Sequence, residues 1–241
     1  MENNIDIGYY NANPEEYQKL VENIHLEYGK IELPAEYSSF VHTDLLRLLI
    51  RLARYKFVAR LIKKTDNILE IGCGSGLGSI FLSQHCKHLT GIDIKKSEIQ
   101  DAISINKRKN VDFINVDFFN KEFSNKFDVI VCLDVIEHMP ERIGNKLVNK
   151  ISKLIKQTGM AVIGTPSIYS YEYQGELSKA SHIKCYDQKE LIEMIEMYFQ
   201  RTLCFSMNDE LVHTGYHKMA WYYFLLAFYP MTKVHYGEKY G

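Results

Sequence analysis

Glu70-Ile71-Gly72-Cys73-Gly74-Ser75-Gly76 follows the short apolar run Ile68 to Ile71 and precedes a helical pattern at about 77–86. Strand, glycine turn and helix in that order place a loop at a strand's carboxyl end, where glycine lets the backbone turn tightly and approach a ligand closely. In an open α/β sheet the crevice beyond those strand ends is where ligands bind. The next apolar run closes on Gly91-Ile92-Asp93-Ile94, about twenty residues further on, which puts Asp93 where a carboxylate can take a ribose diol. Glycine loop and acidic strand end together imply an adenosine-containing cofactor.

Outward from the loop the same rhythm continues. Apolar runs at Leu89 to Ile94, Val111 to Val116, Phe127 to Leu133 and Met160 to Gly164 alternate with helical patterns at about 97–107 and 141–156. Such alternation predicts a parallel sheet with helices on both faces. Phe127-Asp128-Val129-Ile130-Val131-Cys132-Leu133 is almost continuously apolar, as a strand buried on both faces should be. A helix at 187–197 and a strand near 200–207 follow. Upstream, Pro14 suits the first turn of a helix to Tyr28. Between Ser38 and Lys64, Leu45, Leu48, Leu49, Leu52, Phe57, Val58 and Leu61 recur at helical spacing, predicting one long or broken helix.

Bulk properties set the outer limits. The chain has 241 residues, 46% hydrophobic and 24% charged, with a formal net charge of -1, an ordinary balance that supports a buried core. No overall basic field would draw it to nucleic acid, and Lys56, Arg60, Lys63 and Lys64 read as the solvated face of a helix. The polar start Met1-Glu2-Asn3-Asn4 lacks the form of a signal peptide. Met219 to Tyr229 is too short to span a bilayer, and reads as a core helix or an oligomer contact. Cys73, Cys86, Cys132, Cys185 and Cys204 form no CxxC pair, which fits a reducing, cytoplasmic setting.

The glycine spacing is GxGxG, whereas the dinucleotide fingerprint is GxGxxG near a chain start. Spacing alone leaves S-adenosylmethionine (SAM), NAD and FAD open. Val116-Asp117-Phe118 fits an acid that bonds the adenine amino group, with the next ring packing on the base. Asp134-Val135-Ile136-Glu137-His138-Met139-Pro140 puts a polar cluster beyond the fourth strand, and Gly159-Met160-Ala161-Val162-Ile163-Gly164-Thr165-Pro166 begins the fifth. From residue 66 to about 206 the chain resembles the class I SAM-dependent methyltransferases. That resemblance implies a Rossmann-like α/β fold, with a mostly parallel seven-stranded sheet flanked by helices. Residues 1–64 would form an N-terminal helical extension, 65–207 the SAM-binding core, and 208–241 a C-terminal segment on the substrate side or at an oligomer contact. It also implies cofactor contacts at Tyr55, Glu70, Gly72, Cys73, Gly74, Gly76, Asp93, Ile94, Asp117, Phe118 and Leu133.

A narrower likeness concerns two flanking segments. Leu52-Ala53-Arg54-Tyr55-Lys56-Phe57-Val58-Ala59 is similar to the Arg-Tyr helix of methyltransferases encoded in surface-glycan clusters, and Ser181-His182-Ile183-Lys184-Cys185-Tyr186 to their His-containing segment after the fifth strand. Quinone O-methyltransferases share much of this pattern. By analogy Arg54 and Tyr55 would close over the methionine end of SAM; the plainer reading makes Tyr55 core packing and Arg54 a surface charge.

For chemistry, a hydroxyl acceptor needs a base, and histidine titrates near neutrality. His138 and His182 are the candidates, against plainer roles as a helix cap and a backbone hydrogen-bonding group. Asp134, Glu137 and His138 resemble a cluster that binds a divalent cation in some quinone O-methyltransferases; no metal is assigned to it. Met207 to His213 reads either as substrate recognition or as a solvated loop. Tyr169, Tyr171 and Tyr173 could line an acceptor pocket or lie on a surface loop. Trp221-Tyr222-Tyr223-Phe224 would cover the core or a twofold partner, so a homodimer is carried as an option.

The first functional expectation is O-methylation of a small polar acceptor in capsule or cell-surface glycan biosynthesis, a nucleotide-linked sugar or a phosphoramidate-type capsule precursor. The alternative is a quinone or small aromatic O-methyltransferase, and the non-enzymatic reading a SAM-binding scaffold subunit. Base methylation of nucleic acid is disfavoured, because the fourth strand lacks the Asn/Asp-Pro-Pro-aromatic loop that holds a flipped base amine.

Overall fold

Strand β4 (Phe127–Leu133) shows how this sequence builds its sheet. Val129, Val131 and Leu133 pack with one buried cluster, and Ile130 and Cys132 with the other, so alternate side chains leave opposite faces and both find apolar partners. The computed structural model describes residues 13–231 and divides the chain into two units, residues 1–33 and 34–241. The described part of the first unit is helix α1 (Pro14–Tyr28), with Pro14 in its first turn. The Asn13 side chain accepts from the Glu16 amide at 3.2 Å, satisfying one of the free donors of that turn.

In the second unit α2 (Ala35–Thr43) and α3 (Leu45–Ala59) come first. The broken-helix reading holds: Asp44 between them is extended, with φ -159°. Strands β1 (Asn67–Ile71), β2 (His88–Asp93), β3 (Val111–Asn115), β4 and β5 (Ile155–Pro166) are parallel neighbours. Helices α4 (Leu77–Ser83), α5 (Lys96–Ile105) and α6 (Glu141–Leu154) connect them, with α7 (Glu176–Ser181) and α8 (Gln188–Glu196) after β5. Leu147, Val148 and Ile151 of α6 join Leu191 and Ile195 of α8 against one face of the sheet. Ala53, Tyr55 and Val58 of α3 and Leu82 of α4 cover the other.

Two expectations change at the C-terminal end. The sheet has eight strands in the order β3-β2-β1-β4-β5-β8-β6-β7, not seven. The extra one is β7 (Leu211–His213), which turns back on β6 (Phe199–Asn208) over Asp209-Glu210. The apolar stretch read as a core helix is strand β8 (Tyr222–Pro230), antiparallel to both β5 and β6. A short, continuously apolar run carries no period that separates a buried strand from a buried helix. The aromatic and branched residues here favour the strand. A boundary at 207 therefore does not detach the tail: β8 lies inside the sheet, with Tyr222, Tyr223 and Phe224 buried and Trp221 half exposed. No described helix is long and apolar enough to cross a membrane.

Candidate active site

The parallel register brings the carboxyl ends of β1, β4 and β5 side by side, Ile71 beside Cys132 and Leu133 beside Gly164. The glycine loop leaves β1 there. Gly72, Gly74 and Gly76 all have positive φ, the region L side chains avoid. At Gly76 an added Cβ would stand 2.6 Å from the Ala102 Cβ and 2.8 Å from the Phe113 ring, so that glycine lets α5 and β3 close on the loop. At Gly74 the nearest atom would be the Glu98 carboxylate at 3.9 Å; the backbone there is open to a ligand. Two buried polar atoms at this loop, Glu70 Oε1 and Ser75 Oγ, have no well-formed hydrogen bond, with the Tyr55 and Tyr37 hydroxyls their neighbours. An open backbone arc beside such polar groups suits the polar end of a nucleoside cofactor.

The loop is held from below and from the side. Glu70 is buried and accepts from the Ser79 hydroxyl at 2.5 Å. Burial pushes its carboxyl up to about 7, against the hydrogen bonding of Ser79 and Tyr55. Asp93 accepts from the Gly74 amide at 3.0 Å and from the Lys95 amide at 2.8 Å, so the acid at the end of β2 braces the glycine loop. Ile94 beside it is 69% exposed, an apolar surface available to a planar group. Cys73 is buried, and burial pushes its thiol up, which keeps it unreactive. Leu133 is buried in the core.

Asp117 and Phe118 are engaged differently from expectation. Asp117 accepts from the Phe119 amide at 2.8 Å and the Asn120 amide group at 2.9 Å, closing its own turn. Phe118 is buried against Phe119 and Phe123, with the Lys150 ammonium 5.2 Å from its ring centre. Its ring belongs to the core and does not form a free platform for a base.

Around the β4 end, Arg54 is not a bare surface charge. Its guanidinium pairs with Asp134 at 2.6 Å and lies 4.0 Å from the centre of the Tyr222 ring. Tyr55 is buried, its ring filling the space over Gly78 that a Cβ would occupy. Asp134 adopts φ 55°, a left-handed turn that Asp tolerates better than most residues. Asp134 gives one carboxylate oxygen to Arg54 and is not among the grouped ligand-type side chains. Glu137, His138 and His182 gather instead, with one ligand-type atom from each within 4.8 Å of the others. That set has the donor types to hold a divalent ion.

Glu137 is fully buried, accepting from the Thr165 hydroxyl at 3.1 Å. Burial, then the Asp134 charge, push its carboxyl up to about 8. The Glu137 carbonyl accepts from the Ile183 and Lys184 amides at 2.7 and 3.0 Å, which ties the segment after β5 to the turn after β4. The His138 and His182 rings meet edge-on at 5.1 Å. His138 Nδ1 lies 2.9 Å from the Ser181 carbonyl. A carbonyl only accepts, so Nδ1 carries the proton and Nε2 keeps its lone pair. His182 Nδ1 lies 2.8 Å from Gln174 Oε1, and burial, then His138, lower its pKa. Thr165, Ser79 and Gln174 had no signal in the sequence, because their partners are brought up by strand register and loop return.

A family model for a methyltransferase domain matches residues 62–223. The chain belongs to that family. The chain is 34% identical over 102 residues to the ubiquinone biosynthesis O-methyltransferase of Rickettsia akari, covering 41% of this chain and 39% of that one. With the enzyme of that name from Coxiella burnetii it shares 30% over 122 residues, 48% of this chain and 51% of the other. The methyltransferase thus spans about two fifths to one half of the length of these curated relatives. Among solved structures it resembles the N-methyltransferase NodS of Bradyrhizobium japonicum in complex with S-adenosyl-L-homocysteine (SAH), with TM-score 0.53, 19% identity, and 90% of this chain and 98% of that one covered. The PH0226 protein of Pyrococcus horikoshii gives TM-score 0.63 at 17% identity, covering 83% and 100%. The fold of the methyltransferase is that of the class I SAM-dependent enzymes.

Proposed function

We propose that the protein is a SAM-dependent O-methyltransferase whose acceptor is a small quinol or phenol. The observation that carries this reading is the imidazole pair His138 and His182, gathered beyond the carboxyl end of β4, the strand that neighbours β1 and its glycine loop. SAM supplies an already activated methyl group, so the protein's part is to align an acceptor oxygen and remove its proton. The glycine loop, braced by Asp93, holds the donor. Nε2 of His138 takes the acceptor proton as the new C–O bond forms and the sulfonium leaves as SAH.

The relatives' names support a quinone-type acceptor, the alternative in the sequence reading, over the glycan precursor placed first. The surface after β5 agrees with it: Ile168, Tyr169, Leu177 and Ile183 are exposed there, an apolar, aromatic rim suited to a ring. Transfer of labelled methyl from SAM should therefore appear with catechols and quinols and be absent with sugar nucleotides. Labelling of sugar nucleotides alone would restore the glycan reading. In calorimetry Asp93→Ala should weaken SAH binding at least tenfold, about 1.4 kcal/mol; unchanged affinity would defeat the donor-site assignment.

A further inference from the structure

We propose that Gln174 is a positioning residue that fixes the tautomer of His182, so that its Nε2 lone pair is the nitrogen offered to the acceptor site. This rests on the reading above that His182 faces the acceptor. A count of protons along one hydrogen-bond chain carries it.

The chain begins where β5 ends. Ser167 is fully buried and pinned from two sides: its amide donates to the Trp221 carbonyl at 2.9 Å, and it forms a bridge with Tyr186. The Ser170 hydroxyl lies 2.8 Å from the Ser167 carbonyl. That carbonyl can only accept, so the single hydroxyl proton of Ser170 is committed to it. The Ser170 oxygen is then left with lone pairs alone for its next neighbour, the Gln174 amide at 3.1 Å. Gln174 must therefore present its NH2 to Ser170, which turns its Oε1 toward His182 at 2.8 Å. An amide oxygen needs a donor, so His182 Nδ1 carries the proton and Nε2 does not.

The result matches His138, whose Nδ1 is fixed by the Ser181 carbonyl. Both rings are held at Nδ1 by unrelated acceptors, and both keep Nε2 unprotonated. Other groups face His182: the His138 ring, the Glu137 carboxyl and the Asp134 charge. The Cys185 thiol faces Gln174. The contact at His182 Nδ1 itself is the Gln174 oxygen, at 2.8 Å.

Imidazole 15N–1H NMR of the full chain tests the inference without turnover. Wild-type His182 should show a protonated Nδ1. Gln174→Met keeps the length and removes the acceptor, and should shift His182 toward the Nε2–H form. Gln174→Glu keeps an acceptor, and should retain the Nδ1–H tautomer while raising the His182 pKa. With catechol as the acceptor, Gln174→Met should lower kcat about tenfold or more with KM for SAM unchanged, as loss of an orienting acceptor behind an active-site histidine does. A wild-type His182 protonated at Nε2, or a tautomer unmoved in Gln174→Met, overturns the proposal. A shifted tautomer with unchanged kcat supports tautomer control and defeats instead the reading of His182 as a catalytic group.

Discussion

Arg54 on α3 and Asp134 at the end of β4, eighty positions apart, form an ion pair at 2.6 Å, with the guanidinium stacked over Tyr222 of β8. One side chain thus joins the helical segment, the turn of the acceptor side and the last strand of the sheet. Planar stacking and a charged hydrogen bond are demands that arginine meets and lysine does not.

Arg54→Ala should lower stability by about 2 kcal/mol, since it strips a charged hydrogen bond from a carboxylate that remains partly buried. Arg54→Lys should recover only part of that loss. Urea unfolding with a constant m-value checks both, and a midpoint equal to wild type in Arg54→Ala would show the pair to be dispensable.

Two of the three loop glycines should fail in different ways. Gly76→Ala forces a side chain against Ala102 and Phe113 at φ 82°. It should cost about 3 kcal/mol, combining the left-handed penalty with overpacking. Gly74→Ala meets only an ordinary contact, the Glu98 carboxylate at 3.9 Å, at φ 52°. It should cost about 1–2 kcal/mol of stability and still weaken SAH binding severalfold. Thermal melts beside calorimetry separate the two effects.

Glu137 sets a pH dependence of defined sign. A folded-state pKa raised from 4.5 to about 8 means the folded chain binds this proton more tightly than the unfolded chain. Its penalty is absent below about pH 4.5, grows as pH rises, and is complete above about 8. Glu70, pushed up to about 7, acts in the same direction. Stability should therefore decline from pH 5 to pH 8, and Glu137→Gln should flatten that decline. Urea midpoints across the range decide it; parallel curves for the two proteins would refute the assignment.

His182 predicts the acid limb of activity. Burial and the neighbouring His138 lower its pKa from 6.5, so its neutral form persists to lower pH than an ordinary imidazole. If both imidazoles serve the acceptor, kcat should fall roughly a hundredfold in His138→Ala. In His138→Gln the His182 pKa should rise, because a charge that disfavoured its protonation is gone. NMR titration of the His182 ring measures this directly, and a downward shift would contradict it.

The order of strands and helices from β1 to β6, apart from the short α7, was legible because it is local. Period-two and period-3.6 patterns, the apolar run at 127–133 and the glycine turn are properties of neighbouring residues. The glycine turn after β1 was legible for the same reason, since Gly72, Gly74 and Gly76 lie within five consecutive residues. The strand β8 was not, because a run from Tyr222 to Tyr229 that is apolar throughout has no face to mark its period.

The sequence by itself determined the α/β class, the glycine loop at the end of β1 and the two histidines as the acceptor-side candidates. Only the tertiary structure decided their company. It paired Asp134 with Arg54 and brought His182 up to Glu137 and His138. It also withdrew Phe118 into the core beneath Lys150 and seated β8 between β5 and β6. The physical reason is range: backbone propensity and apolar period act over a few residues. The pairing of Arg54 with Asp134, Glu137 with Thr165 and His182 with Gln174 depends on sheet register and on how a loop returns across the strand ends.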